Sequence, residues 1–420
     1  MFQYCRYFVI NFNKFAWKSP RFVFSYYLCG GLIQNLIVMK KIFLSIVLLG
    51  LCSLSFSQEA IRERRPQGSP EFHEDGTVTL RLKAPEANKV VLIGDFLSAP
   101  TEMKKEDGTW AFTTPQPVPA ELYSYRFYVD GVETLDPANL NRSRDVRSFM
   151  STFIISREKG DCGYLYSPQD VPHGNVQHVW YPSPSLDMER RMTIYTPPGY
   201  ENGGKYPVLY LLHGAGGDEE AWSTLGRTAQ ILDNLIALGK AEPMIVVMPN
   251  GNANQEASPF WQTKKIGRPK TTYPESFGDI MQYMKKHYRI RMGMKNTAIC
   301  GLSMGGYHTF TISNLNPGTF NYIGLFSAAL RMDNFRDRDI YAYLNNSQEI
   351  SGQIKDVFAK KPELYWIAIG KDDFLFDHNV GLRKYLDSMQ YDYEYYESEG
   401  GHTWRNWRLY LTSFAQRLFK

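Results

Sequence analysis

A glycine-flanked serine in the second half of the chain constrains the fold most strongly. The segment 301–306 reads GLSMGG and lies between the apolar run 297–300 and a helical stretch that begins at Met304. In such a strand–turn–helix the serine occupies a strained turn, and flanking glycines let the neighbouring backbone approach closely. The turn lifts the Ser303 hydroxyl to the carboxyl edge of a sheet, beside a helix N-terminus that favours a developing negative charge. The segment therefore predicts an α/β fold in which Ser303 is a nucleophile.

The sequence around this motif alternates between strands and helices. Continuous apolar runs, as expected for parallel strands buried on both faces, occupy 207–212, 244–248, 297–300, 322–326 and 364–369. Helical stretches cover 219–238, 275–287, 304–315, 379–389 and 404–419. With the serine turn, this order predicts a doubly wound sheet of the α/β-hydrolase type over residues 185–420.

A base and an orienting acid are expected downstream of the serine. A serine hydroxyl is a weak nucleophile at neutral pH and needs a base within hydrogen-bond reach, itself oriented by a third group. Asp372 and Asp373 follow the strand 364–369, and His402 follows two glycines in the last loop. We predict His402 as the base and Asp373 as the acid, with Asp372 as the alternative.

Two backbone N–H groups are expected to form an oxyanion hole. One belongs to the residue after the nucleophile, Met304, and the other to the loop after an early strand. That loop reads HGAGG at 213–217 and directly follows a buried strand, which makes Ala215 the predicted second donor. His213 is interpreted as structural.

The first part of the chain predicts a separate all-β domain. Over residues 58–158, turns separate short strand patterns at 77–82, 89–93, 110–114, 122–129 and 151–155. This spacing is typical of an antiparallel, immunoglobulin-like sandwich of about 100 residues. Trp110 is interpreted as packing on the sandwich, with a sugar platform as the alternative. The polar segment 159–184, with its prolines and glycines, predicts a linker.

The N-terminus is interpreted as an export signal. A positive start at Met39, an apolar run over 42–51 and small residues before Gln58 predict a signal peptide over 39–57. Residues 1–38 are interpreted as an upstream start assignment, with a membrane-embedded stretch at 22–38 as the alternative. Because the apolar run is too short for a membrane span, we expect a periplasmic or secreted protein. Lipidation at Cys52 is less favoured, because Leu51 precedes it where a small residue is expected.

Charge and cysteine content exclude several classes. A net charge of +4 without a basic cluster argues against nucleic acid as a partner. Only Cys162 and Cys300 follow the predicted cleavage point, so no disulfide framework is expected. No Cys/His spacing resembles a zinc site, and we expect no metal. The sequence carries no signal for an oligomeric state.

Three segments of the first domain indicate a family resemblance: VLIGDF at 91–96, DGTW at 107–110 and YSYRFYVDG at 123–131. With them, residues 72–155 resemble the early-set sandwich found in front of glycogen-branching and isoamylase-type enzymes, a carbohydrate-binding-module type. The chain departs from this pattern at 96–98, where relatives that handle polysaccharide often carry Asn and Trp. Glycan binding by this domain is therefore left open.

The second domain carries a more specific resemblance. The segments RMTIYTPPGY, LHGAGG, GLSMGG, GKDDF and GGHTW occur in this order at 191–200, 212–217, 301–306, 370–374 and 400–404. From about His173 onward the chain resembles the esterase D-like carbohydrate esterases, which include feruloyl and acetylxylan esterases. This resemblance implies that Asp373, the third residue after Gly370, is the acid and that neither a metal nor an organic cofactor is needed. It also implies a shallow acyl cleft, for which the aromatic candidates are Trp261, Tyr273, Phe374 and Trp404.

The activity implied is ester hydrolysis on plant xylan through an acyl-enzyme. Feruloyl groups are the first expected substrate and acetyl groups the second, on xylan or xylo-oligosaccharides. A siderophore-ester hydrolase and a carbohydrate-binding protein without activity remain alternatives. The presence of all three triad residue types argues against the latter.

Overall fold

The computed structural model describes residues 68–259 and 271–420, apart from residues 333 and 335. The predicted signal peptide and the segment before it lie outside the described residues. Within the described part of the chain, no helix combines the length and the apolar character that a membrane span requires.

Residues 71–155 form two sheets that pack on each other. The strand order is β1-β2-β6-β5 in one sheet and β4-β3-β7-β10-β9 in the other, with β8 paired to β7, and all these pairings are antiparallel. Their bounds are β1 (Glu71–Phe72), β2 (Val78–Lys83), β3 (Val90–Gly94), β4 (Thr101–Glu102), β5 (Lys104–Glu106), β6 (Thr109–Thr113), β7 (Glu121–Val129), β8 (Val132–Thr134), β9 (Arg142–Asp145) and β10 (Ser148–Ile155).

The core between these sheets contains Leu80, Leu92 and Phe127, which are fully buried. Trp110 is also buried here, and its Nε1 donates to the Ala84 carbonyl at 3.0 Å. The indole therefore packs inside the sandwich, as the sequence interpretation favoured, and does not form an exposed platform.

The second part of the chain forms one eight-stranded sheet in the order β11-β12-β14-β13-β15-β16-β17-β18. The strands β14, β13, β15, β16, β17 and β18 run parallel to one another, whereas β11 and β12 are antiparallel to their neighbours. The strands are β11 (Asn175–Ser183), β12 (Met188–Thr196), β13 (Val208–Leu212), β14 (Ile245–Pro249), β15 (Thr297–Leu302), β16 (Tyr322–Phe326), β17 (Leu364–Gly370) and β18 (Glu394–Ser398).

Helices flank this sheet and cover both of its faces. Every residue of β13, β14, β16 and β17 is buried, as the continuous apolar runs predicted. The helices are α1 (Cys162–Tyr166), α2 (Ala221–Thr224), α3 (Thr228–Ala237), α4 (Tyr273–His287), α5 (Met304–Leu315), α6 (Ile340–Asn346), α7 (Gln348–Ala359), α8 (Phe376–Ser388) and α9 (Trp404–Ala415). The predicted α/β-hydrolase sheet behind an all-β sandwich is thus confirmed.

The segment 159–184 is not a linker. It contains helix α1 and strand β11, which pairs with β12 over nine residues from Asn175↔Thr196 to Ser183↔Met188. Because β11 is the edge strand of the sheet, most of its residues are exposed and Pro182 is tolerated there. An edge strand of this composition has no continuous apolar run, and this is why the sequence pattern suggested a connection between domains.

The single helix expected over 219–238 is divided into α2 and α3. Arg227 has φ 55°, which interrupts the helical backbone. A Cβ at the preceding Gly226 would lie 2.4 Å from the Trp222 ring, so the chain turns here against a buried indole.

Candidate active site

The Ser303 turn is the most constrained backbone of the site. Ser303 follows β15, has φ 55° and ψ −114°, and directly precedes helix α5. A Cβ at Gly305 would lie 2.4 Å from the Leu212 carbonyl oxygen, and a Cβ at Gly301 would lie 2.4 Å from the Gly305 carbonyl oxygen. Both glycines are therefore needed for the close packing of this turn on β13, for the reason given by the sequence pattern.

Backbone hydrogen bonds fix the serine in this strained conformation. The Ser303 N–H donates to the Phe326 carbonyl at 2.9 Å, and the Ala329 N–H donates to the Ser303 carbonyl at 3.0 Å. A strained residue held in this way by its surroundings is typical of functional sites.

The histidine and one of the two aspartates meet at the same edge of the sheet. Nδ1 of His402 lies 3.0 Å and 2.9 Å from the two carboxylate oxygens of Asp373. The Asp373 side chain is fully buried, and its Oδ1 also accepts from the Leu375 N–H at 2.9 Å. Asp372 is exposed, so the structure brings Asp373 to the histidine.

The tautomer of His402 follows from this contact. A carboxylate only accepts hydrogen bonds, so Nδ1 carries the proton and Nε2 is left with a free lone pair. The ring packs against Trp407, with centroids 4.9 Å apart at 87°, and against Phe374 at 4.5 Å. These contacts limit the rotation of an imidazole whose side chain is 18% exposed.

Ser303 and His402 line one cleft, with a volume of about 1220 Å³. The loop Gly214–Asp218 contributes Gly214, Ala215, Gly217 and Asp218 to its wall, and Ala215 is exposed. Met304 begins helix α5, immediately after the serine. The predicted nucleophile, the predicted base with its buried acid and the loop that carries Ala215 thus line one cavity, an arrangement that can carry out acyl transfer.

The four aromatic candidates have different surroundings. Phe374 is 60% exposed and Trp404 is half-buried, and both line the cleft. Tyr273 is only 3% exposed and packs in the main core against Phe277, so the structure does not place it in the cleft. The apolar face of helix α4 explains this burial. Trp261 lies outside the described residues.

The sandwich supplies a wall of the cleft that sequence reasoning missed. Tyr123, Arg144, Val146 and Met150 line it together with the loops of the α/β sheet. About 150 to 180 residues separate them from Ser303 in the chain, and no local pattern signals a contact that depends on how the two domains pack. Trp407 was also missed, although its spacing of three residues from Trp404 on α9 could have indicated it.

Two buried histidines lie behind the Ser303 turn. The Gly251 N–H donates to Nε2 of His213 at 2.7 Å, so Nδ1 of His213 carries the proton and donates to the Gly214 carbonyl at 2.8 Å. Burial lowers the pKa of His213, and it lowers the pKa of His308 to about 3. Both rings are therefore neutral, and His213 is structural, as its sequence interpretation proposed.

The eight-stranded sheet and the serine turn define a protein of the α/β-hydrolase fold. Residues 183–366 match the family model named Esterase, described as "Putative esterase".

Two curated relatives are similar to this chain. An endo-1,4-beta-xylanase/feruloyl esterase from Xylanibacter ruminicola is 30% identical over 367 residues, which cover 84% of this chain and 46% of the relative. The chain thus spans about half the length of that protein. An acetyl esterase from Caldicellulosiruptor saccharolyticus is 28% identical over 239 residues, which cover 51% of this chain and 83% of the relative.

A solved structure shares the fold over most of the chain. The enterobactin esterase from Shigella flexneri aligns with a TM-score of 0.58 at 16% identity, over 84% of this chain and 96% of that one. At this identity the similarity shows the fold alone.

Proposed function

We propose that this chain is a serine carboxylesterase that removes feruloyl groups from plant cell-wall xylan. The observation that carries the proposal is the His402–Asp373 contact in the cleft that Ser303 also lines. The match to the Esterase family model supports ester hydrolysis, and the name of the Xylanibacter ruminicola relative supports the substrate class. We also propose that the enzyme acts outside the inner membrane, where it can reach xylan.

The proposed reaction is acyl transfer to water. Nε2 of His402 takes the proton of the Ser303 hydroxyl, and the Ser303 Oγ attacks the ester carbonyl. The Met304 and Ala215 N–H groups stabilise the oxyanion, while Asp373 holds the imidazole and stabilises its protonated form. His402 then protonates the leaving sugar oxygen. In the second half, His402 activates a water that releases the carboxylic acid from Ser303.

The aromatic side chains of the cleft favour a feruloyl group over an acetyl group. The exposed Phe374 ring lies beside His402 and lines the cleft that Ser303 also lines. Exposed aromatic surface in a cleft can stack on a phenolic ring, whereas an acetyl group offers no face for stacking. Trp404 is the second candidate, because it lines the same cleft.

Release of ferulate and acetate from arabinoxylan, and of ferulate from methyl ferulate, tests this proposal. We expect the unaltered protein to release ferulate and Ser303→Ala to release none. Phe374→Ala should raise KM for methyl ferulate and leave KM for 4-nitrophenyl acetate unchanged. Acetate release alone would instead make the protein an acetyl esterase. Release of neither acid would contradict the proposal and direct the search to other esters.

A further inference from the structure

A hairpin of the sandwich reaches the loop that carries Ala215. Strands β9 and β10 are joined by a two-residue turn, Val146 and Arg147, and Ser148 pairs with Asp145 across the hairpin. Arg144, Asp145 and Val146 line the cleft together with Ser303. The hairpin is therefore part of the wall of the cleft that Ser303 also lines.

Arg144 binds the end of this loop through a partly buried ion pair. Its Nη2 donates to the Asp218 carboxylate at 2.6 Å and to the Ser258 hydroxyl at 2.6 Å. The Asp218 side chain is 4% exposed and the Arg144 side chain 18% exposed. Charge-assisted hydrogen bonds between partly buried groups are strong and geometrically restrictive. Asp218 lies three residues after Ala215, so the contact fixes the loop close to the predicted N–H donor.

Val146 contacts the middle of the same loop and has a strained backbone conformation. Val146 has φ 51°, a value that is strained for a β-branched residue and that hairpin turns usually assign to glycine or asparagine. A Cβ built on Gly216, whose φ is 78°, would lie 2.6 Å from Val146 Cγ1. The valine methyl groups thus lie directly against the glycine backbone. A strained residue held in place by its contacts is a candidate for a functional role.

The other face of the loop is held by the α/β domain. Nδ1 of His213 donates to the Gly214 carbonyl, and Nδ2 of Asn252 donates to the Gly217 carbonyl at 2.9 Å. The hairpin also contacts the histidine side of the cleft, because Trp404 Nε1 donates to the Asp145 carboxylate at 3.3 Å. The loop is therefore held both by the α/β domain and by the hairpin of the sandwich.

We propose that Arg144 and Val146 are positioning residues for catalysis, through which the sandwich holds the Ala215 N–H in place for the oxyanion. The inference rests on the esterase function proposed above and adds to it that the sandwich acts on the rate of the chemical step. A displacement of about 1 Å of a catalytic donor can lower a rate by about 100-fold. Loss of one oxyanion donor lowers kcat by about 10²–10³-fold.

Kinetics on 4-nitrophenyl acetate separate positioning from substrate binding, because this ester is too small to need a polysaccharide subsite. We expect Arg144→Ala to lower kcat by about 10- to 100-fold with KM changed less than about twofold. Arg144→Lys should recover part of kcat, because a lysine can still pair with Asp218. Arg81→Ala is the matched control, since Arg81 forms its ion pair with Glu71 elsewhere in the sandwich, and its kcat should equal that of the unaltered protein.

Val146→Gly keeps the experiment decisive if Arg144→Ala fails to fold. Glycine relieves the positive φ but removes the methyl groups that contact Gly216. We expect kcat to fall several-fold while Tm stays unchanged or rises, a combination that a purely structural role would not produce. An unchanged kcat in Val146→Gly, or an effect of Arg144→Ala on KM alone, would overturn the proposal.

Amide hydrogen exchange tests the support of the loop without relying on activity. The amides of Gly214–Gly217 should exchange several-fold faster in Arg144→Ala and in Val146→Gly than in Arg81→Ala. Unaltered exchange would overturn the positioning role even if the protein is an esterase. Faster exchange in a protein that hydrolyses no ester would support the contact and contradict the proposed function instead.

Discussion

Asp373 and Asp372 are neighbours in the chain, but only Asp373 is buried against His402. We expect Asp373→Asn to lower kcat by about 10³–10⁴-fold, because an amide can donate to Nδ1 and thereby favour the wrong tautomer of the histidine. Asp372→Asn is the matched control and should stay within about threefold of the unaltered protein. The measurement is kcat on methyl ferulate, and comparable losses in both variants would contradict the assignment of the acid.

His308 makes the stability of the fold depend on pH. Its folded pKa is about 3, against about 6.5 for an exposed histidine, because burial disfavours the charged ring. Below pH 6.5 the unfolded chain binds a proton that the folded protein does not, so the free energy of unfolding falls as the pH falls from 6.5 towards 3. Between pH 7 and pH 5 this histidine should account for a loss of about 2 kcal/mol.

His308→Leu removes this titration and also the buried Nδ1, for which the structure shows no hydrogen-bond partner. Urea unfolding at pH 7 and pH 5 should show that the variant loses about 2 kcal/mol less than the unaltered protein over this range. Equal losses in the two proteins would mean that His308 becomes charged without unfolding.

Helix α5 can pack against strand β13 only because residue 305 has no side chain. A methyl group at Gly305 would meet the Leu212 and His213 carbonyl oxygens at 2.4 Å and 2.6 Å, so the helix would have to move away from the sheet. We expect Gly305→Ala to lower the free energy of unfolding by about 1–3 kcal/mol and to abolish ester hydrolysis.

Gly278 provides the opposite case on an exposed face of helix α4. A Cβ there would have no heavy atom within 4 Å, so Gly278→Ala should raise the free energy of unfolding by about 0.5–1 kcal/mol and leave activity unchanged. Chemical denaturation of both variants measures these effects. A stable, active Gly305→Ala protein would contradict the packing described here.

The elements that could be predicted from sequence are those whose pattern is local. Strands such as β13 and β17 are buried on both faces, so their runs of apolar residues identify them directly. Strand β11 was missed because an edge strand exposes most of its residues. Tyr273 was named as a candidate for the cleft because an aromatic residue among polar residues can belong either to a binding site or to the core. The local sequence does not distinguish the two, and only the packing of α4 decides its burial.

The same limit applies to the site. Ser303, Asp373 and His402 could be named from short motifs in a known order, because each motif directly follows a strand or a glycine pair. Arg144 and Val146 could not be named, because their contacts with Asp218 and Gly216 join segments about 70 residues apart and depend on how the domains dock.

At the scale of the whole molecule, a buried ion pair joins the sandwich to the last helix. Arg408 of α9 donates from Nη2 to the Glu121 carboxylate at 3.0 Å and to the Leu122 carbonyl at 2.9 Å. Both side chains are at most 4% exposed. Removal of one partner leaves the other charge buried and poorly compensated, which costs about 3–5 kcal/mol in such pairs.

We therefore expect Arg408→Met to lower the free energy of unfolding by about 3–5 kcal/mol, and the double variant with Glu121→Gln to lose less than the sum of the two single variants. Arg417→Met is the control, since the Arg417–Glu394 pair is exposed and should contribute less than about 1 kcal/mol. Urea unfolding of the four variants measures the coupling. Additive losses would show that the pair does not join the domains energetically.

The shared cleft limits how the two domains can be exchanged with domains of other proteins. Residues from several strands and turns of the sandwich, between Ile93 and Met150, line the same cavity around Ser303 as the loops of the α/β sheet. A recombination junction placed between the two domains would divide the residues that line this cavity, and it would not separate two independent domains. Exchanging the sandwich for that of another protein would replace more than a third of the residues that line the cleft, so the two domains have to be inherited, or engineered, as a pair.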